Sequence, residues 1–258
     1  MMSGGNAITD PDAIAFLAAA GITNQTIGIA INTLVTDLKG YGVWAKMKAI
    51  YPFVGGTATT HKFNLKDPQD LNAAFRLVFS GGWTHSANGA QPNAVNGYAD
   101  TFAIPSSHLN SNSHLSCYLN TIQISASFPY VIGSYNSETQ AMAIRTWGSF
   151  DNLSRTYNYS GLNAANTALN SDGFWLTNIE GLNQTQLRNN VLRATGAKSG
   201  SSPTATLTLS ALNAGGSPTS FSSQRLAIAS IGDALTTNEA TNFYSAVQAF
   251  QTTLGRQV

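Results

Sequence analysis

The spacing of apolar positions along this chain changes character twice. In the first fifty residues the apolar positions recur at helical intervals. Asp10 can cap a helix that opens on Pro11, carries Ile14, Phe16, Leu17 and Ala20, and stops at Gly21. A second helix starts after Thr23 or Asn24, presents Ile27, Ile31, Leu34, Val35 and Leu38, and ends at Gly40. Val43, Met47 and Ile50 predict a third, closed by Pro52, which forbids continuation. From Thr57 the period falls to two. His61, Phe63 and Leu65 alternate with polar neighbours, as do Phe75, Leu77 and Phe79 in large part, and Asp67-Pro68 predicts the turn between two strands. Further strands are expected at 115–121, 130–135, 141–147, 154–159, 173–179, 186–188, 191–194, 204–211 and 225–231. The Asn189-Asn190 pair marks a tight hairpin, because Asn tolerates positive φ.

The far end returns to helical spacing. Leu226 to Ile231 is apolar or small on both faces, as in a strand covered from both sides. Thr236 and Glu239 then form a capping box, and Phe243, Tyr244, Val247, Phe250 and Leu254 make one stripe before Gly255. Short strands separated by turns, with no helices between them, predict an antiparallel sandwich and exclude a parallel α/β sheet. The expected architecture is mainly β: a jelly-roll β-sandwich over residues 57–258 that ends in an amphipathic helix, preceded by a helical appendage over 1–56. Three helices this short bury little alone, so they are expected to dock on the sandwich, on each other or on another protein.

Composition narrows the function classes. With 258 residues the chain can bury roughly 70 to 75% of its unfolded surface and needs no staple. Only 10% of residues are charged, the net charge is +1, and Lys and Arg do not cluster, so neither nucleic acid nor an anionic membrane is an expected partner. The single Cys117 cannot form an internal disulfide and is expected as a buried small side chain. Met1 to Asp10 lacks the basic flank and apolar run of a signal peptide, and no run reaches the 18 apolar residues of a membrane span. Asn-x-Ser/Thr triplets, Asn183-Gln184-Thr185 among them, are set aside as chance matches in an Asn-rich chain.

The chemistry on offer is sparse. A jelly-roll glycosidase needs two carboxylates flanking the sugar, and none of Glu138, Glu180 and Glu239 has an acidic neighbour at the required spacing. No activity is therefore expected. The four histidines follow no metal-binding pattern and Cys117 has no companion for zinc, so no cofactor is expected. Calcium held by loop Asp or Asn oxygens stays open. The aromatic residues offer the remaining signal. Trp83 and His85, in a Gly- and Asn-rich stretch read as a long loop over 80–98, and Tyr157 and Tyr159 near a strand end, could stack on sugar rings, while Trp147 and Trp175 are expected in the core.

Two resemblances add to this. The closing segment, a strand followed by Leu235-Thr236, an acidic residue and a helix, resembles the ending of concanavalin-like and laminin-G-like jelly rolls. Ile31-Asn32-Thr33-Leu34-Val35, Trp44 to Pro52, His61 to Pro68, Phe79 to Ser86, Asn96 to Thr101 and Phe250 to Gln257 together resemble a group of proteins encoded by tailed bacteriophages and their prophages. That resemblance implies a virion structural protein of tail, baseplate or fibre, assembled in the bacterial cytoplasm with other virion proteins. It also implies a homo-oligomer whose N-terminal part docks on the particle and whose sandwich faces outward, with a host-surface glycan as the contact expected of it. A free lectin-like module and a capsid decoration protein are the alternatives. It supplies no catalytic residues.

Overall fold

The structure, a computed structural model, describes residues 7–124, 128–158 and 161–258. Two sheets face each other across an apolar core, and helices from both ends of the chain form a third layer on the back of one sheet. Sheet one runs Val191–Ala197, Asn183–Arg188, Gly173–Glu180, Ser113–Leu119, Leu226–Asp233, Gly89–Pro92, Trp83–Ser86, with Met47–Tyr51 also paired to Leu226–Asp233. Sheet two runs Gly161–Ala165, Leu153–Asn158, Gln140–Arg145, Ile132–Ser137, Thr208–Leu209, Tyr98–Asp100, Val78–Ser80. A small hairpin, Leu212–Ala214 with Ser217–Thr219, joins sheet two through a parallel pairing to Ile132–Ser137. Every other ladder between these strands is antiparallel. The expected sandwich with helices at both ends is what the chain forms.

Leu226–Asp233 sits inside sheet one, as its two apolar faces require. One edge pairs with Ser113–Leu119 and the other with Met47–Tyr51 and, at Leu226, with Gly89–Pro92. Leu226, Ala229 and Ile231 enter the core between the sheets, where Leu115, Cys117, Ile144, Trp175 and Leu209 meet them. Ala227 and Ile228 enter the core under the helices, with Phe16, Ile31, Leu34, Phe174, Phe243 and Phe250. Burial pushes the Cys117 thiol pKa up, which keeps it protonated and unreactive.

The helices form where capping predicts. Asp10 accepts from the amides of Asp12 and Ala13 at the start of Pro11–Ala20, and Asn24 caps Gln25–Gly40. Thr236 and Glu239 form the complete capping box of Thr237–Thr253, and Lys46 pairs with Glu239 at 2.6 Å. The Asn189-Asn190 turn holds both residues at positive φ, +48° and +62°, as its hairpin demands.

Three local expectations are corrected. The expected third helix is a single 3-10 turn, Trp44–Lys46, followed by the strand Met47–Tyr51. A register shift between Met47 and Ala49 puts Met47 and Ile50 together on the helix side while Ala49 and Tyr51 face the inter-sheet core. A bulge thus reproduces the three-residue spacing of a helix. The expected strand at His61 to Leu65 is instead a helical turn, Ala58–His61, and an isolated bridge between Asn64 and Asp67. Here the buried Asn64 side chain replaces a strand neighbour, accepting from the amides of Ile50 and Lys66 and donating to the carbonyls of Lys48 and Ala74. The expected long loop over 80–98 contains a hairpin, Trp83–Ser86 with Gly89–Pro92.

Candidate functional site

Trp83 and His85 lie on one strand, two residues apart, and so on one face of it. Their rings stack at 24° with centroids 6.0 Å apart, and the Phe79 ring meets both edge-on. The Trp83 indole N–H is spent on the carbonyls of Ser80 (3.0 Å) and Tyr98 (3.2 Å). His85 Nδ1 lies 2.9 Å from His61 Nδ1. Because the Gly56 amide donates to His61 Nε2, His61 must carry its proton on Nδ1 and donate it to His85. Burial, with the nearby His85 and Arg256, lowers the His61 pKa to about 3, so the pair is neutral at physiological pH. This cluster ties the hairpin to the helical turn at His61.

Beside Trp83 is an open cleft of about 480 Å³ lined with Thr84, Gln91, Pro92 and Asn93. Its amides are already engaged. Gln91 donates to the Ser223 carbonyl, and Asn93 accepts from the amides of Val95, Asn96 and Gly97 while donating to Asn96. Tyr157 lies on the other sheet, in Leu153–Asn158, and so is not gathered with Trp83 and His85; Tyr159 lies outside the described residues. Trp175 is fully buried between the sheets, and Trp147 is half-buried with its indole N–H on the Asn152 side chain.

A larger groove of about 600 Å³ opens on the back of sheet one, between the strands and the first turns of the helix Thr237–Thr253. Glu180, Asn183, Thr185 and Thr195 reach it from three neighbouring strands, and Thr237 and Thr241 from the first turns of Thr237–Thr253. Leu187, Leu192, Leu235 and Ala240 give it apolar walls. One end is closed where Thr241 donates to the Asn190 side chain at 3.2 Å. Asn178 is consumed in the floor, since its amide donates to the Leu235 carbonyl and accepts from the Leu235 amide. Among the described residues, the side chains of Asn183, Thr185, Thr195 and Thr237 have no hydrogen-bond partner. These are groups that water or a ligand must satisfy.

The sequence reading missed this groove. The signal was present in Asn183-Gln184-Thr185-Gln186: Gln184 and Gln186 are buried, so Asn183 and Thr185 turn to the opposite face together. Glu180 is the groove's one carboxylate, and Glu239, the nearest in sequence to the helical wall, is held by the capping box and Lys46. Among the described residues no three His, Cys, Asp or Glu side chains gather as a metal site. The arrangement is suited to neutral hydrogen bonding with apolar contact.

No protein-family model and no curated protein sequence matches the chain. Among solved structures it is similar to domain 4 of AbnA, a GH43 extracellular arabinanase from Geobacillus stearothermophilus, solved in complex with arabinotriose. The TM-score is 0.53 at 11% identity, over 77% of this chain and 98% of that domain. Weaker likenesses are to a Trypanosoma rangeli sialidase bound to 2,3-difluorosialic acid (TM-score 0.47, 10% identity, 66% of this chain, 29% of that one) and to the binding domain of botulinum neurotoxin DC in complex with SialylT (0.38, 10%, 67%, 47%). The chain spans less than half the length of these two. The likeness to the arabinanase domain is one of fold: two antiparallel sheets in a sandwich.

Proposed function

We propose that this chain is a non-catalytic glycan-binding module whose groove between Asn183, Thr195 and Thr237 takes a neutral oligosaccharide. The observation that carries this is the row of unspent amide and hydroxyl side chains over aliphatic walls. Sugar hydroxyls satisfy such groups, while the C–H faces of the ring cover Leu187 and Leu192. A volume of about 600 Å³ is in the ordinary range of ligand sites. The arabinanase domain, a sandwich of the same fold that was solved with arabinotriose, supports the reading and supplies the first probe. Calorimetric titration of the full chain with arabinotriose and a panel of neutral oligosaccharides is expected to find a saturable ligand, weakened about tenfold by Asn183→Ala. A panel without a ligand, or a ligand indifferent to Asn183 and Thr185, overturns the reading.

A particle-borne role, as a virion structural protein of a tailed phage, is the context we infer for such a module. Its support is the sequence resemblance together with where those residues lie. Trp44, Met47, Ile50 and Phe250 share the helix-side core, His61 holds His85, and Arg256 holds Phe53. The resembling segments thus assemble into one frame. The helices spend their apolar faces on this frame, so docking to neighbouring subunits would use exposed positions such as Ile14 and Tyr41. Mass spectrometry of purified particles, with stoichiometry, tests this; absence of the protein from them refutes it.

A further inference from the structure

The outer face of sheet two carries an arrangement that the neutral groove does not explain. Arg145 and Arg155 stand directly opposite each other on the antiparallel strands Gln140–Arg145 and Leu153–Asn158. Like charges in that relation repel. They are also unexpected in a chain with so few charges. Arg145 pairs with Asp151 at 2.5 Å and Arg155 with Glu138 at 2.8 Å.

Arg145 is 1% exposed, and its guanidinium lies over the Phe128 ring at 4.8 Å and nearer its limit to Tyr130 at 6.0 Å. Asp151 takes one of its N–H groups. Among the described residues its buried Nε has no acceptor. The equally buried Arg256 shows the contrast, since it donates to the carbonyls of Phe53, Pro52 and Ala227 and to the Gln251 side chain. A guanidinium has five N–H groups, and leaving a charged donor buried without an acceptor is costly. Arg145 and Arg155 both line a cavity of about 320 Å³, together with their partner carboxylates Asp151 and Glu138, and Phe128, Tyr130, Tyr135 and Leu212 give it apolar walls.

We propose that this cavity is a second binding site, for a ligand the size of one sugar ring that carries a carboxylate, as a uronic acid does. A carboxylate matches the planar fork of a guanidinium, and would bind here by sharing or displacing the Asp151 and Glu138 carboxylates that the two neighbouring arginines hold. The aromatic and leucine walls suit the C–H face of a pyranose. The volume, at the low end for ligand sites, limits the occupant to about one ring. Asp151 competes with the ligand for Arg145, which gives the site a distinctive response to substitution.

The test is titration of the full chain with glucuronate, and with glucose as the neutral counterpart, followed by calorimetry and by ring resonances in NMR. Glucuronate is expected to saturate the site and glucose to leave it empty. Arg145→Lys is expected to weaken glucuronate about tenfold, and Asp151→Asn to tighten it. If Arg145→Lys does not fold, Arg155→Gln, at a half-buried position, carries the same expectation of weakening. Asn183→Ala, in the neutral groove, is expected to leave glucuronate binding unchanged. No saturable glucuronate binding by the folded chain, equal binding of glucose, or an affinity indifferent to both arginines overturns the proposal. Loss of glucuronate binding in Asn183→Ala also overturns it, by moving the ligand to the other site.

Discussion

The guanidinium of Arg256 donates to the carbonyl of Phe53 across 3.0 Å, joining residues 203 apart in the chain. Phe53 is held at φ +44°, in the left-handed region, and turns the chain out of the strand Met47–Tyr51. Arg256 further holds Pro52 and Ala227, so one buried side chain binds the C-terminal segment to two strands of sheet one. Arg256→Met would keep much of the volume and leave three buried carbonyls without their donor. It is expected to lower stability by about 3 kcal/mol or more, read as a fall in the urea midpoint at unchanged slope.

Asn64 does comparable work with a neutral side chain. Asn64→Leu removes two acceptors' and two donors' worth of bonding at one buried point. We expect a loss of about 3 kcal/mol, with the amides of Ile50 and Lys66 becoming faster in hydrogen exchange.

Acid should destabilise the fold through its histidines before its carboxylates. Burial lowers His61 to about 3, and burial lowers His114 to about 4 against a partly opposing hydrogen bond to the Asp233 carbonyl, from an ordinary value of 6.5. The unfolded chain therefore binds more protons than the folded one between these values and 6.5. Stability is whole above pH 6.5 and falls as pH drops below it, by up to about 1.4 kcal/mol per unit per histidine. Asp10 and Glu239, held below their ordinary values by Lys39 and Lys46 against the effect of burial, add a loss only at lower pH. Urea midpoints measured from pH 7 to 4 should show the slope, and His61→Gln should reduce it.

Ligand binding in the neutral groove is expected to be unchanged by a calcium chelator. Glu180 is the one carboxylate lining it, and calcium takes six to eight oxygens, usually with several carboxylates among them. Loss of glycan affinity on chelation would show that a metal completes the site.

Removing residues 1–56 is expected to abolish cooperative unfolding. The deletion takes away the strand Met47–Tyr51 and bares Phe243, Val247 and Phe250, which share their core with Phe16, Ile31 and Leu34. A truncated chain with a sharp thermal transition would contradict this.

Much of the architecture is legible in the sequence because single residues carry unambiguous instructions. Thr236 with Glu239, Asn189 with Asn190, and the two-faced run at Leu226 act locally, and the structure keeps each. Reading failed where a distant partner decides. Met47 and Ile50 share a face only because a bulge against Gly232 and Ile231 puts them there, and Asn64 stands in place of a strand neighbour only because Lys48 and Ala74 stand around it. Trp83 and His85 do meet, yet the indole N–H is spent on backbone and His85 Nδ1 on His61. The groove was hidden for a related reason: Asn183 and Thr195 belong to it only once Thr237 is brought across from the other end of the chain.

The position of Leu226–Asp233 bears on how the molecule is made. Met47–Tyr51 and Gly89–Pro92 are joined to Ser113–Leu119 through a segment that follows them by more than a hundred residues. Until that segment is synthesised and threaded between them, half of sheet one has no edge to grow on, and the closure of so long a loop makes assembly slow. A nascent chain stalled short of it would present unpaired strands to its neighbours, so this is the stage at which aggregation should be sought.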